Sequence, residues 1–223
     1  MVWQKLGAAL FVVLAVCAVI AIPSQATVLE VGTTKFTNGQ EETFKVTEIG
    51  MGTISTKILG QNFKKTHTGM EIVEGKLVQN GTTVEGTGKL RLTGVTVDEP
   101  AGCKTGSTIE TTAIRGVVAH GNTEATKEKL YIKFTPASGE TFATLKLEGC
   151  AAAGSYPLKG SVYGEMSNLT GVLAVKTQVN FSAAINSSQG GALTFGKEPA
   201  VLTASGEGEL AGANAGKEWR LTE

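Results

Sequence analysis

Apolar and polar residues alternate along much of this sequence, and this pattern constrains the fold more than any other feature. The longest run follows Gly171, where every second side chain from Leu173 to Ala183 falls on one side of the chain. Shorter runs cover residues 129–134 and 143–148. A period of two places alternate side chains on opposite faces of a strand, with one face buried and the other wet. We therefore expect a strand in each of these places.

The composition also favours β structure. Glycine supplies 29 of the 223 residues, and Asp98 is the only aspartate. Such a profile is typical of strands joined by tight turns. Asn80-Gly81 predicts a hairpin with a type I′ turn, and the only helix expected beyond the N-terminal region covers residues 123–129. The predicted fold class is all-β, an antiparallel β sandwich or a partly closed barrel with one disulfide.

The N-terminal region has the pattern of a secretory signal. Lys5 precedes an apolar run over residues 6–22, and small residues follow up to Ala26. This order predicts a signal peptide over residues 1–26, with cleavage after Ala26. The alternative is an uncleaved membrane anchor. Residues 27–223 are predicted to form one secreted β domain without a further transmembrane segment; a weakly packed C-terminal subdomain over residues 186–223 is the alternative.

Cysteine usage agrees with export. Removal of the signal removes Cys17 and leaves Cys103 and Cys150. An even number of cysteines in an oxidising compartment predicts a disulfide, and a loop of this length stabilises by roughly 4 kcal/mol in the chain-entropy model. The alternative is two separately buried thiols.

Charge and titratable residues exclude several classes of function. The chain has 20 Lys and Arg against 20 Asp and Glu, without a basic stripe, so nucleic acid is not an expected partner. His67 and His120 are the only histidines. We expect both at the surface, because neither has a nucleophile motif nearby. Two separate histidines and a paired set of cysteines do not make a zinc site. We expect no metal, no cofactor and no catalytic residue.

Aromatic and acidic residues supply the candidates for a site. Tyr131, Tyr156 and Tyr163 are candidate ligand contacts, and Tyr131 is expected to point outward from its strand. Glu207 and Glu209 lie two apart, which would place both on one face of a strand and allow a hydrolase to be considered. Adjacent carboxylates on one strand face are more often simply solvated.

Two stretches around the cysteines resemble a known group. They are Gly102-Cys103-Lys104 with residues 107–111, and residues 134–150 followed by residues 158–164. Together they resemble a group of uncharacterised secreted β-rich proteins of actinobacteria, over residues 52–166. The resemblance implies export, β structure and the cysteine pair. It implies no catalytic residue and no function.

These observations favour a noncatalytic exported protein of the cell envelope or the extracellular space, which binds a surface polymer, a lipid or another protein. The alternatives are a secreted hydrolase that acts on polysaccharide and a purely structural surface protein. A lipid carrier requires an apolar cavity, whereas a hydrolase requires a cleft with convergent titratable groups.

Overall fold

The computed structural model describes residues 26–123, 125–167 and 171–222. The predicted signal peptide, apart from Ala26, lies outside these residues. The described residues form 18 strands, one α-helix, α1 (Ala183–Gln189), and a short 3-10 helix (Gly212–Asn214). The strands are β1 (Val28–Val31), β2 (Thr34–Lys35), β3 (Glu41–Glu48), β4 (Gly52–Ile58), β5 (Gln61–His67), β6 (Gly69–Asn80), β7 (Thr83–Thr93), β8 (Thr96–Glu99), β9 (Thr108–Glu110), β10 (Ile114–His120), β11 (Leu130–Pro136), β12 (Thr141–Leu147), β13 (Gly154–Ser167), β14 (Lys176–Phe181), β15 (Ala192–Phe195), β16 (Glu198–Pro199), β17 (Val201–Leu210) and β18 (Trp219–Thr222).

Eight strands form a barrel. The ladder runs β3-β6-β7-β10-β11-β13-β14-β17 and returns to β3, and every pair is antiparallel. β17 completes the circle because it pairs with β14 along one edge and with β3 along the other. The prediction of an all-β antiparallel fold is confirmed, and the ladder follows the barrel alternative.

Two barrel strands extend beyond the barrel. The first residues of β17 pair with β4, which continues through β5 to β8. The first half of β13 pairs with β12 and with β15. These extensions enclose a second, smaller core, whose buried members are Ile58, Phe63, Cys103, Leu145, Leu147, Ala152 and Phe195. The fold therefore has two apolar cores, and β13 supplies residues that pack in both.

The predicted disulfide joins Cys103 to Cys150 and lies against the smaller core. The two connected segments also form a backbone bridge, in which Lys104 and Glu148 exchange hydrogen bonds of 2.9 and 3.0 Å. The disulfide thus fastens the loop after β8 to the end of β12, and the predicted pairing is confirmed.

A small sheet of β1, β2 and β18 covers one end of the barrel. Trp219 in β18 is fully buried and meets the ring of Phe44 edge-on at 5.6 Å between centroids. The side chain of Gln79 accepts a hydrogen bond from the backbone N–H of Leu29, which holds β1 to the barrel strand β6. Because β17 and β18 lie within residues 186–222, much of that segment is built into the barrel and its core.

Inward-facing glycines make room for the largest interior side chains. A Cβ atom at Gly116 would lie 2.7 Å from Ile132, one at Gly164 would lie 2.6 Å from Val179, and one at Gly208 would overlap the ring of Phe44. Small residues opposite large ones are a common way to fill a narrow barrel. Part of the high glycine content therefore serves the core rather than the turns.

Local structure differs from the sequence predictions in three places. The predicted strand after Gly171 is shorter, because the side chain of Ser182 accepts from the N–H of Ile185 and starts α1. The described residues of the predicted helix over residues 123–129 form no helix; the backbone N–H groups of Thr126 and Lys129 donate to the carbonyl oxygens of Thr123 and Thr126, as in tight turns. The predicted hairpin at Asn80 forms, but its central residues are Gly81 and Thr82, and only Gly81 has a positive φ, so the type I′ assignment was wrong.

Candidate functional site

The barrel encloses an apolar cavity of about 100 Å³. Its wall is made by inward side chains from most of the barrel strands, including Val46, Val118 and Val162. Trp219 lines it from the small sheet at one end. Lys65 also lines it, although Lys65 is only 2% exposed. The burial of this lysine is the most unusual feature of the interior, because Lys is almost never fully buried unless it is paired.

The alternation of β5 explains the position of Lys65. Phe63, Lys65 and His67 occupy one face of β5 and are all buried, whereas Asn62 and Lys64 on the other face are exposed. Lys65 is paired in register with Ile54 of β4, another residue of the cavity wall. The β4–β5 extension therefore lies across the end of the barrel away from Trp219, with Lys65 directed into the interior.

Glu48 and His67 lie next to this lysine. Nε2 of His67 is 3.1 Å from Oε1 of Glu48, and the two side chains are 0% and 1% exposed. The contact does not have hydrogen-bond geometry, and both carboxylate oxygens and both ring nitrogens lack a hydrogen-bond partner among the described residues. We call Glu48, Lys65 and His67 the polar cluster.

Burial shifts the protonation of all three members in the direction of the neutral form. Desolvation raises the pKa of Glu48 from 4.5 to about 7, although the charge of Lys65 opposes this. Desolvation lowers the pKa of Lys65 from 10.5 to about 8, against the attraction of Glu48. Desolvation, aided by Lys65, lowers the pKa of His67 from 6.5 to about 4. Burial therefore favours the neutral form of each member, while the attraction between Glu48 and Lys65 favours their charged forms.

Glu48 and His67 can pack this closely only because residue 52 is a glycine. Gly52 pairs with His67 across the β4–β5 ladder, and a Cβ atom there would overlap the imidazole ring and lie 2.6 Å from Oε1 of Glu48. Next to Gly52 the connection between β3 and β4 carries two exposed apolar side chains, Ile49 and Met51, at 43% and 71% exposure. The polar cluster thus lies just beneath a loop with an apolar surface.

The structure separates the three tyrosines that the sequence singled out. Tyr131 and Tyr163 lie on neighbouring strands, β11 and β13, but Tyr131 is only 2% exposed and its hydroxyl donates to Glu165 at 3.3 Å. The outward position expected for Tyr131 therefore does not expose its ring. Tyr163 is half-buried, with the Lys133 ammonium 5.6 Å from its ring centroid. Tyr156 stacks on Phe195 of the smaller core.

His67 is fully buried, so its prediction as a surface histidine was wrong. His120 lies in β10, with its ring Nδ1 2.8 Å from the carbonyl oxygen of Lys127. Asp98 in β8 accepts from the hydroxyl of Thr66. The structure brings neither Asp98 nor His120 into contact with His67.

Glu207 and Glu209 do lie on one face of β17, as the sequence predicted. Each is paired with a lysine on the outer surface of the barrel, Glu207 with Lys176 at 2.9 Å and Glu209 with Lys45 at 3.0 Å. The functional residues that sequence reasoning missed are Glu48 and Lys65. The signal that could have found Lys65 is its place between Phe63 and His67 in a strand of period two.

Comparison of the chain with protein-family models, with curated proteins and with solved structures gives no match. Within residues 26–123, 125–167 and 171–222, no helix is long and apolar enough to cross a bilayer. The same residues contain no group of three or more His, Cys, Asp or Glu side chains arranged to hold a metal ion.

Proposed function

We propose that this chain is an exported, noncatalytic protein that binds a small lipid-like molecule and holds its aliphatic part inside the barrel. The observation that carries the proposal is the apolar cavity between Trp219 and Lys65. Small-molecule sites are typically concave and mostly apolar, with few polar groups that fix orientation. The interior of this barrel has that composition.

The volume of the cavity limits how much of a ligand the barrel can enclose. A cavity of about 100 Å³ is smaller than the roughly 300–1,000 Å³ of drug-sized sites. An engineered apolar cavity of about 150 Å³ nevertheless binds benzene. The fitting occupant is a short alkyl chain, or the end of a longer chain whose remainder stays outside.

The surface next to the cavity supports a lipid rather than a polymer. Ile49 and Met51 are exposed beside the polar cluster and offer an apolar approach to the interior. The tyrosines do not form a common exposed platform for a sugar, because Tyr131 is buried and Tyr156 belongs to the smaller core. Glu207 and Glu209 are held by lysines on a convex outer wall, which gives no support to a polysaccharide hydrolase.

Two features support export. The Cys103–Cys150 disulfide fits an oxidising compartment. Ala26 is exposed and Thr27 is buried, and the sequence predicts cleavage between these two residues. Thr27 is 2% exposed and its backbone N–H donates to the carbonyl of Thr82 at 2.8 Å. A mature chain that starts at Thr27 would keep every described contact of the barrel.

Trp219 provides the test. The only other tryptophan is Trp3, in the predicted signal peptide, so the emission of the exported protein reports on the cavity wall. We expect 6-bromohexan-1-ol to quench Trp219 in a saturable way, because bromine quenches on contact. Val118→Phe, which fills the cavity, should abolish saturation.

Val117→Phe is the matched control. Val117 is the neighbour of Val118 in β10 and lies on the outer face, so the same added volume leaves the cavity unchanged. Thermal unfolding of both variants checks that each is folded. Quenching that is linear with concentration, or equal in Val118→Phe and wild type, would overturn the proposal.

A further inference from the structure

The Asn80-Gly81 pair at the turn between β6 and β7 has a chemical property besides its conformation. In an Asn-Gly pair the backbone nitrogen of the glycine can attack the side-chain carbonyl carbon of the asparagine, because glycine has no side chain to hinder the approach. The side-chain nitrogen leaves as ammonia, a succinimide ring forms, and water opens the ring to aspartate or isoaspartate. We infer that Asn80 is a deamidation site that Asn38 keeps latent in the folded protein. This inference is independent of the ligand proposed above.

The surroundings of Asn80 leave space for this reaction. Asn80 and Gly81 are both exposed, so water reaches the pair. A Cβ atom at Gly81 would have no neighbour within 4 Å. Steric shielding therefore does not protect Asn80, and protection has to come from hydrogen bonds.

Asn38 binds the attacking nitrogen. The backbone N–H of Gly81 donates to Oδ1 of Asn38 at 2.7 Å. This hydrogen bond fixes the orientation of the peptide group between residues 80 and 81, and it must break before the nitrogen can turn towards the side chain of Asn80. That side chain is also held, because its Nδ2 donates to Oε1 of Glu85 at 2.8 Å. The contact with Asn38 is the one that involves the nucleophile.

The connection between β2 and β3 holds Asn38 in this position. The backbone N–H of Gly39 donates to the carbonyl of Gln79 at 2.8 Å, and the N–H of Gln79 donates to the carbonyl of Gln40 at 3.0 Å. Asn38 and Gly39 are themselves an Asn-Gly pair. The bond from Gly39 to Gln79 engages the nucleophile of this second pair, so the same contacts restrain both sites.

Reaction at Asn80 would disturb a residue that fastens β1 to the barrel. Isoaspartate adds one carbon to the backbone directly after Gln79, whose side chain donates to the carbonyl of Thr27 at 3.0 Å and accepts from the N–H of Leu29 at 2.9 Å. Either product would also place a carboxylate beside Glu85. We therefore expect faster hydrogen exchange in β1 once Asn80 is converted, and unchanged exchange would contradict this consequence.

The experiment incubates the folded protein at mildly alkaline pH and follows each pair by tryptic mapping. Residues 77–89 form the peptide with Asn80, and residues 36–45 form the peptide with Asn38. The fraction converted to aspartate and isoaspartate gives the rate, and the two free synthetic peptides give the unprotected rates. We expect both asparagines to react about tenfold more slowly, or slower still, in the folded wild type than in the free peptides.

Asn38→Ala tests the source of the protection. It should raise the rate at Asn80 about five- to tenfold above wild type, which is the factor that one hydrogen bond contributes to a rate. Thr37→Ala is the matched control, because the hydroxyl of Thr37 donates to the side chain of Gln40 and the contact between Asn38 and Gly81 is retained. Its rate at Asn80 should equal that of wild type. Thermal unfolding checks that both variants are folded.

Two results would overturn the inference. Equal rates for Asn80 in the folded wild type and in the free peptide would show that the site is not latent, and this comparison needs no variant. A wild-type rate in folded Asn38→Ala, or the same acceleration in Thr37→Ala, would show that the hydrogen bond from Gly81 to Asn38 is not what protects Asn80.

Discussion

Nε2 of His67 lies 3.1 Å from Oε1 of Glu48, and solvent reaches neither side chain. In a polar setting this distance would mark an ion pair, but here burial raises the pKa of the acid to about 7 and lowers that of the imidazole to about 4. Burial therefore favours the neutral form of both partners. Protonation of buried groups, rather than attraction between opposite charges, determines how this region responds to pH and to mutation.

Glu48→Gln should stabilise the protein at neutral and alkaline pH. A carboxyl whose pKa rises from 4.5 to about 7 on folding contributes stability that is fully present below pH 4.5 and is lost as the pH rises through 7. The amide does not titrate, so the variant escapes this loss. We expect its free energy of unfolding, relative to wild type, to increase by about 3 kcal/mol between pH 4.5 and pH 8.

Urea unfolding at pH 4.5, 6 and 8 measures this change. The depressed pKa of His67 acts in the opposite direction between pH 4 and 6.5, but it is present in both proteins and cancels in the difference. Glu209→Gln is the control, because Glu209 is in a surface ion pair with Lys45 and should change stability by about 0.5 kcal/mol or less. The same difference for Glu48→Gln at all three pH values would contradict the protonation of Glu48.

Lys65→Met should also stabilise the protein at pH 6. Burial lowers the pKa of Lys65 to about 8, so the folded protein must hold a desolvated charge at that pH. Methionine has a similar length and no charge. We expect thermal and urea unfolding at pH 6 to show a gain of about 1–3 kcal/mol. Lys64→Met should be near neutral, and a loss of stability in Lys65→Met would indicate that Lys65 has a stabilising partner.

Loss of the disulfide should destabilise the whole domain. Cys103 and Cys150 are 47 residues apart, and closing a loop of that length is worth about 4 kcal/mol in the chain-entropy model. Cys103→Ala with Cys150→Ala should lower the free energy of unfolding by roughly that amount. Denaturant unfolding of this variant, beside wild type with and without a reductant, tests the value. A change below about 1 kcal/mol would mean that the Lys104–Glu148 bridge fixes the two segments without the bond.

Gly116→Ala should destabilise the barrel although alanine is the smallest possible change. The added methyl group would lie 2.7 Å from Ile132 and 3.0 Å from Phe134, inside a packed wall. Overpacking of this kind costs about 1–3 kcal/mol. Gly106→Ala is the control, since its new Cβ would meet only a backbone oxygen at 3.5 Å and its φ is not in the left-handed region. Equal melting temperatures for the two variants would contradict the close packing at Gly116.

The sequence was sufficient for the strands and for the disulfide because both depend on local patterns. Alternation located β11 and β12, and the even number of cysteines after the predicted signal peptide identified Cys103 and Cys150. Closure of the barrel was not predictable, because it depends on the pairing of β17 with β14 and β3, which are distant in the chain. The alternation within one strand does not indicate which other strand it pairs with.

The candidate site was missed because polarity was taken as a sign of exposure. The segment Lys64-Lys65-Thr66-His67 is strongly polar, so its alternation with Phe63 carried little weight, yet that alternation is what directs Lys65 and His67 inward. Glu48 ends a strand whose inward face also carries the buried apolar residues Phe44 and Val46, but its closeness to His67 follows from tertiary structure. The burial of Tyr131 was missed for a different reason, because neighbouring side chains can cover a residue that faces outward from its strand.

The continuation of β13 and β17 from the barrel into its extensions has a consequence for how the domain unfolds. Residues 158–159 of β13 pair with β12 and β15, while residues 162–166 of the same strand pair with β11. β17 is divided in the same way between β4 and the barrel. If either the barrel or its extensions unfolded alone, the strands that remained would lose hydrogen-bonded neighbours along part of their length. Intermediates with only one of the two parts folded should therefore be scarce. Strands that run through both parts make the barrel and its extensions a single cooperative unit.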